Sequence, residues 1–287
     1  MTRSAGASTI LLTTVAMIAF AANSLLCRMA LGAHLIDAAT FTTVRLSCGA
    51  LFLVLLVAQQ GHSLRMRADA VAVGALFAYA IAFSFAYLGL SAGTGALILF
   101  GAVQITMIAA GLMRGERLPA LGWSGLAAAC AGLVLLLAPG ISAPPIDSAL
   151  LMTLAGLAWG IYSLRGRAVS DPLQSTAANF VWTVPLALVS MPMLAQPWHA
   201  SPRGLVLAAA SGALASGLGY VVWYAALRRL PAIPAATVQL SVPIIAALGG
   251  VLLLGEHPTP RLLLCSAVVL GGIALVLRSR LAALRPD

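Results

Sequence analysis

The sequence predicts an all-α membrane protein of ten transmembrane helices, arranged as two inverted five-helix repeats. Three observations carry this. The 287 residues are 61% hydrophobic and 8% charged, with mean hydropathy +1.03. Soluble domains carry roughly 25% charged residues, so this chain has too little charge to coat a water-soluble globule. Its apolar residues fall into ten runs near the roughly 20 needed to cross about 30 Å of hydrocarbon. The last five runs then repeat motifs of the first five at a fixed offset.

The runs are placed at 9–29, 36–58, 69–90, 94–113, 121–138, 148–164, 174–194, 204–226, 235–254 and 261–278. Turn-forming or charged punctuation separates them: Gln59-Gln60-Gly61-His62, Arg114-Gly115-Glu116-Arg117, Pro144-Pro145, Asp171-Pro172 and Glu256-His257-Pro258. Arg3 followed by an apolar run resembles a signal peptide, with Phe20-Ala21-Ala22-Asn23 as a conceivable cleavage region. The repeat needs this segment as its first helix, so it is read as uncleaved. The whole chain is one transmembrane domain, with repeat 1 over about 9–138 and repeat 2 over about 148–278.

Arginine placement sets the orientation. With the N-terminus in the cytoplasm, Arg3, Arg65, Arg67, Arg114, Arg117, Arg165, Arg167, Arg228, Arg229, Arg278, Arg280 and Arg285 lie inside. Arg28, Arg203 and Arg261 lie outside, and Arg45 lies within a span. This positive-inside bias puts both termini in the cytoplasm of a bacterial plasma (inner) membrane. The net charge of +9 therefore orients the chain in lipid and does not point to nucleic acid. The expected partners are the bilayer and a small-molecule substrate, with the chain a monomer or a homodimer.

The repeat is read from Arg114-Gly115-Glu116 after helix 4 and Leu254-Gly255-Glu256 after helix 9, 140 residues apart. At the same offset Ile105 matches Ile245, Gly132 matches Gly272, and the small-residue pairs Ala127/Ala131 and Ala267/Gly271 coincide. Phe20-Ala21 corresponds to Trp159-Gly160 and Arg28 to Arg167. Five helices is an odd number, so the second copy must be inverted. Inverted repeats recur in secondary transporters, with the site at the midplane between the halves.

These residues resemble the drug/metabolite transporter superfamily in its EamA-type ten-helix family. The matching features are Phe20 to Asn23, Arg45 early in helix 2, Tyr87-Leu88-Gly89-Leu90 ending helix 3, Gly115-Glu116, Trp159-Gly160, Trp223-Tyr224-Ala225-Ala226-Leu227 ending helix 8, Pro243 and Gly255-Glu256. The family's Trp-Gly in helix 1 reads Phe20-Ala21 here. The resemblance is nearest the bacterial amino-acid exporters, some of which handle aromatic amino acids.

Several function classes are excluded or disfavoured by composition. The chain has no lysine, so it has no Walker A loop and no retinal Schiff base. Cys27, Cys48, Cys130 and Cys265 are scattered in apolar segments, and His34, His62, His199 and His257 fall in or near loops. No cofactor or metal is expected. The seven acids, Asp37, Asp69, Glu116, Asp147, Asp171, Glu256 and Asp287, all fall at span ends, in loops or at the C-terminus. With no acid or histidine at depth, neither an enzyme's acid–base pair nor a proton relay is expected.

The candidate site residues follow from depth and symmetry. Arg45 sits inside helix 2, where a charge costs a few kcal/mol unless it pairs, snorkels or meets a cavity; it is either a structural partner or a substrate-carboxylate contact. Tyr79, Phe83 and Tyr87 recur every four residues on helix 3, and Tyr220, Trp223 and Tyr224 answer them on helix 8. Both sets either line a central cavity or face lipid, with Trp159, Tyr162 and Trp182 extending the wall. Asn23, Asn179 and Gln239 are the best polar candidates. Glu116 and Glu256 form a symmetric pair, either a structural charge network or gates at the two faces. Prolines 231, 234 and 243 with Gly249-Gly250 mark helix 9 as breakable, and Gly93, Gly95, Gly101 and Gly111 mark helix 4; these are either the moving elements of a carrier or close-packing positions. The function expected is export of small amino-acid-like metabolites by alternating access. A sugar, nucleoside or lipophilic drug is the alternative cargo, and an integral-membrane enzyme or scaffold the remote alternative.

Overall fold

The computed structural model describes residues 2–61, 63, 67–140, 143–166, 169–194, 197–227, 230 and 238–283. His62, Arg65, Arg167, Arg228, Arg229, Pro231, Pro234, Arg285, Asp287 and the first residues of the ninth predicted span lie outside the described residues. Among the described residues ten α-helical elements follow in order, with a 3₁₀ turn at Met191–Leu194: α1 Thr2–Gly32, α2 Ala38–Gln59, α3 Ala70–Ala86, α4 Ala92–Met113, α5 Ala120–Leu137, α6 Ile146–Gly166, α7 Pro172–Ser190, α8, α9 Ser241–Leu254 and α10 Pro260–Ala283. Helix α8 is composite. It is α-helical over Pro202–Ala210, π-helical over Ser211–Leu218 and α-helical again over Gly219–Leu227. Among the described residues, eight helices are long and apolar enough to cross a membrane, and Ala70–Ala86 and Ser241–Leu254 are shorter apolar helices. This is a multi-pass membrane protein.

The acids of the predicted loops finish the helices. Asp37 caps α2 by accepting from Thr40 N at 2.8 Å, and Asp171 caps α7 by accepting from Gln174 N at 3.2 Å. Asp69 caps α3, accepting from the Val71 amide at 2.9 Å, and also takes a 2.6 Å bond from Arg165 Nε. Partial desolvation alone would raise the Asp69 carboxyl, but Arg165 and the Val71 and Ala72 amides hold it below the usual carboxylate range. Gly115 (φ 87°) and Gly255 (φ 65°) sit in the left-handed region directly after α4 and α9. This is the helix-ending conformation that glycine adopts without strain. In both places the next residue is the glutamate, and its amide bonds back to a helix carbonyl, Glu116 N to Gly111 O and Glu256 N to Gly250 O, each at 3.0 Å.

The most extensive pairings are α3 with α6, α1 with α8, α4 with α6, α1 with α9, α2 with α7, α4 with α9, α2 with α8, α3 with α7, and α5 with α10; smaller contacts join α2 with α3, α7 with α8, and α4 with α1, α5 and α10. Large apolar side chains such as Ile10, Met113, Val134 and Leu252 remain exposed around the outside. In water such a surface would be an aggregation hazard; in a bilayer it is the lipid contact.

Three features singled out in the sequence are placed as follows. Ala127, Ala131, Ala267 and Gly271 face outward. The α5–α10 crossing is built instead on Gly125 and Gly272, where a Cβ on either would come within 2.5 Å of the other's carbonyl oxygen. Helix α4 is continuous: its glycines are close-packing positions, Gly93 against Ala247 and Gly101 against Leu133. Pro243 lies in the first turn of α9, where the missing N–H costs nothing, and the turn at Leu240 separates this helix from the helical residues 238–239 within the predicted span. Helix α8 is irregular too, its Ser-Gly-rich stretch being π-helical.

Candidate functional site

At the middle of the bundle, rings from five helices enclose a small chamber. Its wall is formed by Phe20, Asn23 and Ser24 of α1, Tyr79 and Phe83 of α3, Leu99 and Phe100 of α4, Trp159 of α6 and Tyr220 of α8. The rings meet in contact geometry. Phe20 lies edge-on to Trp159, Tyr220 and Trp223 at 6.3, 6.1 and 5.9 Å, and Trp159 touches Tyr79 at 4.9 Å and Tyr220 at 4.8 Å. Residues 20 and 159 are the repeat partners of the sequence, and they meet here. The free space is about 10 Å³, roughly one water's worth of room.

Arg45 stands beside this wall, 1% exposed. Its guanidinium carbon lies 5.1 Å from the Tyr79 ring centre and 4.9 Å from that of Phe83. Its Nε donates to Ser216 Oγ at 3.3 Å and its Nη2 to Tyr79 OH at 2.9 Å, while Nη1 has no partner. Among the described residues the two ion pairs are Arg28–Glu256 and Arg165–Asp69, so no carboxylate neutralises Arg45. A buried cation without a counter-ion costs several kcal/mol. An anionic group entering the chamber would relieve that cost.

A polar chain runs from this arginine. Tyr79 OH also accepts from Asn23 Nδ2 at 3.0 Å, and Asn23 Oδ1 accepts from Ser211 Oγ at 2.7 Å. Ser211 and Ser216 both belong to the π-helical stretch. Sequence reasoning missed both serines and Phe180, which lies edge-on to Tyr220 at 5.8 Å. The available signal was the Ser-Gly dipeptide repeated five residues apart, Ser211-Gly212 and Ser216-Gly217.

Two further voids of about 20 Å³ follow, the first sharing Trp159 and Tyr220 with the chamber and the second sharing Tyr224 with the first. One is lined by Met107, Trp159, Ser163, Tyr220, Trp223, Tyr224 and Gln239. The other has Tyr162, Asn179, Thr176 and Tyr224 at its inner end and Asp69 and Arg165 at its outer end. Tyr224 and Thr176 then border an open recess of about 530 Å³ that includes Gln60 and Asp171. The candidates Trp159, Tyr162, Asn179, Tyr220, Trp223, Tyr224 and Gln239 thus mark a constricted track towards the end of the molecule that arginine placement predicts to be inside.

The opposite end is tied shut. Arg28 Nε meets Glu256 Oε1 at 3.1 Å, Arg28 Nη1 donates to Tyr87 O at 3.2 Å, and Glu256 Oε2 accepts from the Ala92 amide at 2.9 Å. The α1–α2 and α7–α8 connections also pair there, Asp37 N to His199 O and Ser201 N to Leu35 O, both at 2.8 Å. Glu256 sits on the first residue of α4 and Glu116 follows its last turn, so the two glutamates lie at opposite ends of one helix. Tyr87 belongs to this tie and not to the chamber. It caps α3, is fully buried, and its ring packs on Gly95. Trp182 is also displaced from the wall: it is 48% exposed, on the side of α7 away from the buried face carrying Asn179 and Thr183.

A model of the EamA-like transporter family matches residues 148–278. Uncharacterized protein PA1977 of Pseudomonas aeruginosa is 55% identical over 278 residues, covering 95% of this chain and 96% of that one. A probable terminal-alkyne amino-acid exporter of Streptantibioticus cattleyicolor is 26% identical over 71% of this chain and 70% of its own length. The uncharacterized transporter YwfM of Bacillus subtilis is 28% identical over 54% of this chain and 53% of its own. A chain of known crystal structure superposes with a TM-score of 0.67 at 18% identity, covering 95% of this chain and 99% of that one, which supports the fold. Ten apolar helices around a buried chamber, with these relatives, define a membrane transporter. Through the EamA-like domain at residues 148–278 and these relatives, the chain is placed in the drug/metabolite transporter superfamily.

Proposed function

We propose that this transporter exports small amino-acid-like metabolites, aromatic amino acids among them, across a bacterial plasma membrane. The observation that carries the reading is the aromatic chamber with Arg45 uncompensated beside it. Rings stack on an apolar or aromatic side chain, and a guanidinium grips a carboxylate bidentately. The amino-acid exporter among the relatives supports the same cargo class.

The cycle is alternating access between two inverted halves. The helix pairing supports it, because exchanging the halves converts α3–α6 into α8–α1, α4–α6 into α9–α1 and α2–α8 into α7–α3, while α2–α7, α4–α9 and α5–α10 convert into themselves. The buried positions Gly122, Gly125, Ala129, Gly132 and Leu136 of α5 recur 140 residues later as Leu262, Cys265, Val269, Gly272 and Val276 of α10. The Arg28–Glu256 tie would close the outer end, and the track past Tyr224 would lead inwards. In a cysteine-less background, a cysteine at Ala143 is expected to react with an impermeant maleimide from outside, and one at Arg117 only from inside. Labelling of both from one side would sink the inverted arrangement.

Proteoliposomes loaded with unlabelled L-phenylalanine are expected to accumulate labelled L-phenylalanine by counterflow. The chamber wall carries no carboxylate or histidine, so an uncoupler should leave this exchange nearly unchanged. Counterflow with sugars or nucleosides but with no amino acid would overturn the cargo. Collapse on uncoupling would assign a proton-carrying role to one of the end carboxylates.

A further inference from the structure

The hydrogen-bond directions around Tyr79 carry an inference that rests on the carboxylate reading above. A phenol oxygen has two acceptor sites and a single proton to donate. Tyr79 OH already accepts twice, from Asn23 Nδ2 at 3.0 Å and Arg45 Nη2 at 2.9 Å. Its own proton must therefore point elsewhere, and among the described residues no acceptor takes it. In the same chamber Tyr220 OH is buried and has no partner among the described residues. The free Arg45 Nη1 lies next to this group.

The direction depends on Asn23. If its amide were reversed, Oδ1 would face Tyr79 and would take the phenol proton. In the structure Ser211 donates to Oδ1 at 2.7 Å, which leaves Nδ2 facing Tyr79. Ser216, five residues on, holds the other end of the network at Arg45 Nε. In an α-helix residues five apart are separated by about 140° around the axis. The i→i+5 turn of a π-helix brings them onto one face. The π-helical stretch Ser211–Leu218 is what lets both serines reach the site from a single helix.

We propose that Ser211 and Asn23 are positioning residues that keep the Tyr79 hydroxyl as a hydrogen-bond donor to the substrate carboxylate, beside Arg45 Nη1. They would select an acid over its amide without touching the substrate. Ser211→Ala frees the Asn23 amide to turn and consume the Tyr79 proton.

The test measures the ratio of L-phenylalanine to L-phenylalaninamide affinity for the purified full chain. The wild type is expected to prefer the acid. Ser211→Ala and Tyr79→Phe should each lower that preference by roughly tenfold, the scale of one hydrogen bond to a charged group. Ser211→Thr, which keeps the hydroxyl, should retain it. The Ser211→Ala/Tyr79→Phe double variant should lose no more than either single one, since both act through the same proton. An unchanged ratio in Ser211→Ala beside a lowered one in Tyr79→Phe, or losses that multiply in the double variant, would overturn the proposal and leave the carboxylate reading standing. An unchanged ratio in Arg45→Met, or a wild type with no preference, would overturn that reading itself and the proposal with it.

Discussion

Replacing Arg45 with methionine is expected to cut counterflow of carboxylate substrates at least a hundredfold while leaving the fold intact. The guanidinium is 1% exposed and has no acidic partner among the described residues. Its aromatic contacts with Tyr79 and Phe83 and its bonds to Tyr79 and Ser216 offset only part of the desolvation. Exchanging a buried ionic group for an apolar one of similar volume is often neutral or stabilising. Methionine fills most of that volume and leaves two hydroxyls short of a donor, at about 1 kcal/mol each. The melting temperature in detergent should therefore move little in either direction. Transport should respond very differently. Two hydrogen bonds to a carboxylate contribute about 1.5–3 kcal/mol each, and 1.4 kcal/mol is tenfold in affinity. Melting and counterflow measured on the same preparation separate the roles. A large fall in melting temperature with transport preserved would make Arg45 a structural rivet, the other role its sequence position allowed.

Most of the architecture was legible because lipid imposes a strong constraint. Each span must be a helix of fixed minimum length, and caps such as Asp37 and Asp171 fall where the apolar runs stop. Helix periodicity correctly grouped Tyr79 with Phe83, and Tyr220 with Trp223 and Tyr224. It also grouped Tyr87, whose ring meets that of Phe83 at 4.8 Å, but α3 ends at Ala86 and this ring lies against Gly95 of α4, outside the chamber wall. Trp182 was misplaced for a related reason. Apolar bulk alone does not say which face of α7 meets lipid, since both faces are apolar in a membrane. The Arg28–Glu256 pair joins residues 228 apart, a distance at which only the duplicated arginine hinted at a common role. Ser211 and Ser216 were invisible because a π-helical turn changes which residues share a face, and neither residue is bulky or charged.

Gly212→Ala is expected to be the most damaging small substitution in the chain. A Cβ at this position would overlap the carbonyl oxygen of Arg45 and stand 2.9 Å from its carbonyl carbon and 3.0 Å from its Cα. All three atoms are backbone, so no side chain can rotate away. From the other side Gly49 also lets α2 approach, with a Cβ there 3.1 Å from Gly212 O and 2.7 Å from the Phe180 ring of α7. Helices α2 and α8 therefore meet backbone to backbone, one residue from Ser211 and at Arg45 itself. Accommodating a methyl means pushing the π-helical stretch outwards. Overpacking of this kind typically costs 1–3 kcal/mol. The same movement withdraws Ser211 from Asn23 and Ser216 from Arg45, whose bonds are already 2.7 and 3.3 Å long. Counterflow should fall by more than tenfold even in the protein that folds, with a clearly lower melting temperature. Gly271→Ala on α10 is the matched control, because a Cβ there meets nothing within 4 Å; it should be neutral or slightly stabilising, since alanine is the better helix former. Equal behaviour of the two variants would mean that α2 and α8 are not held at backbone contact. The π-helical stretch would then have no fixed register from which to orient its serines.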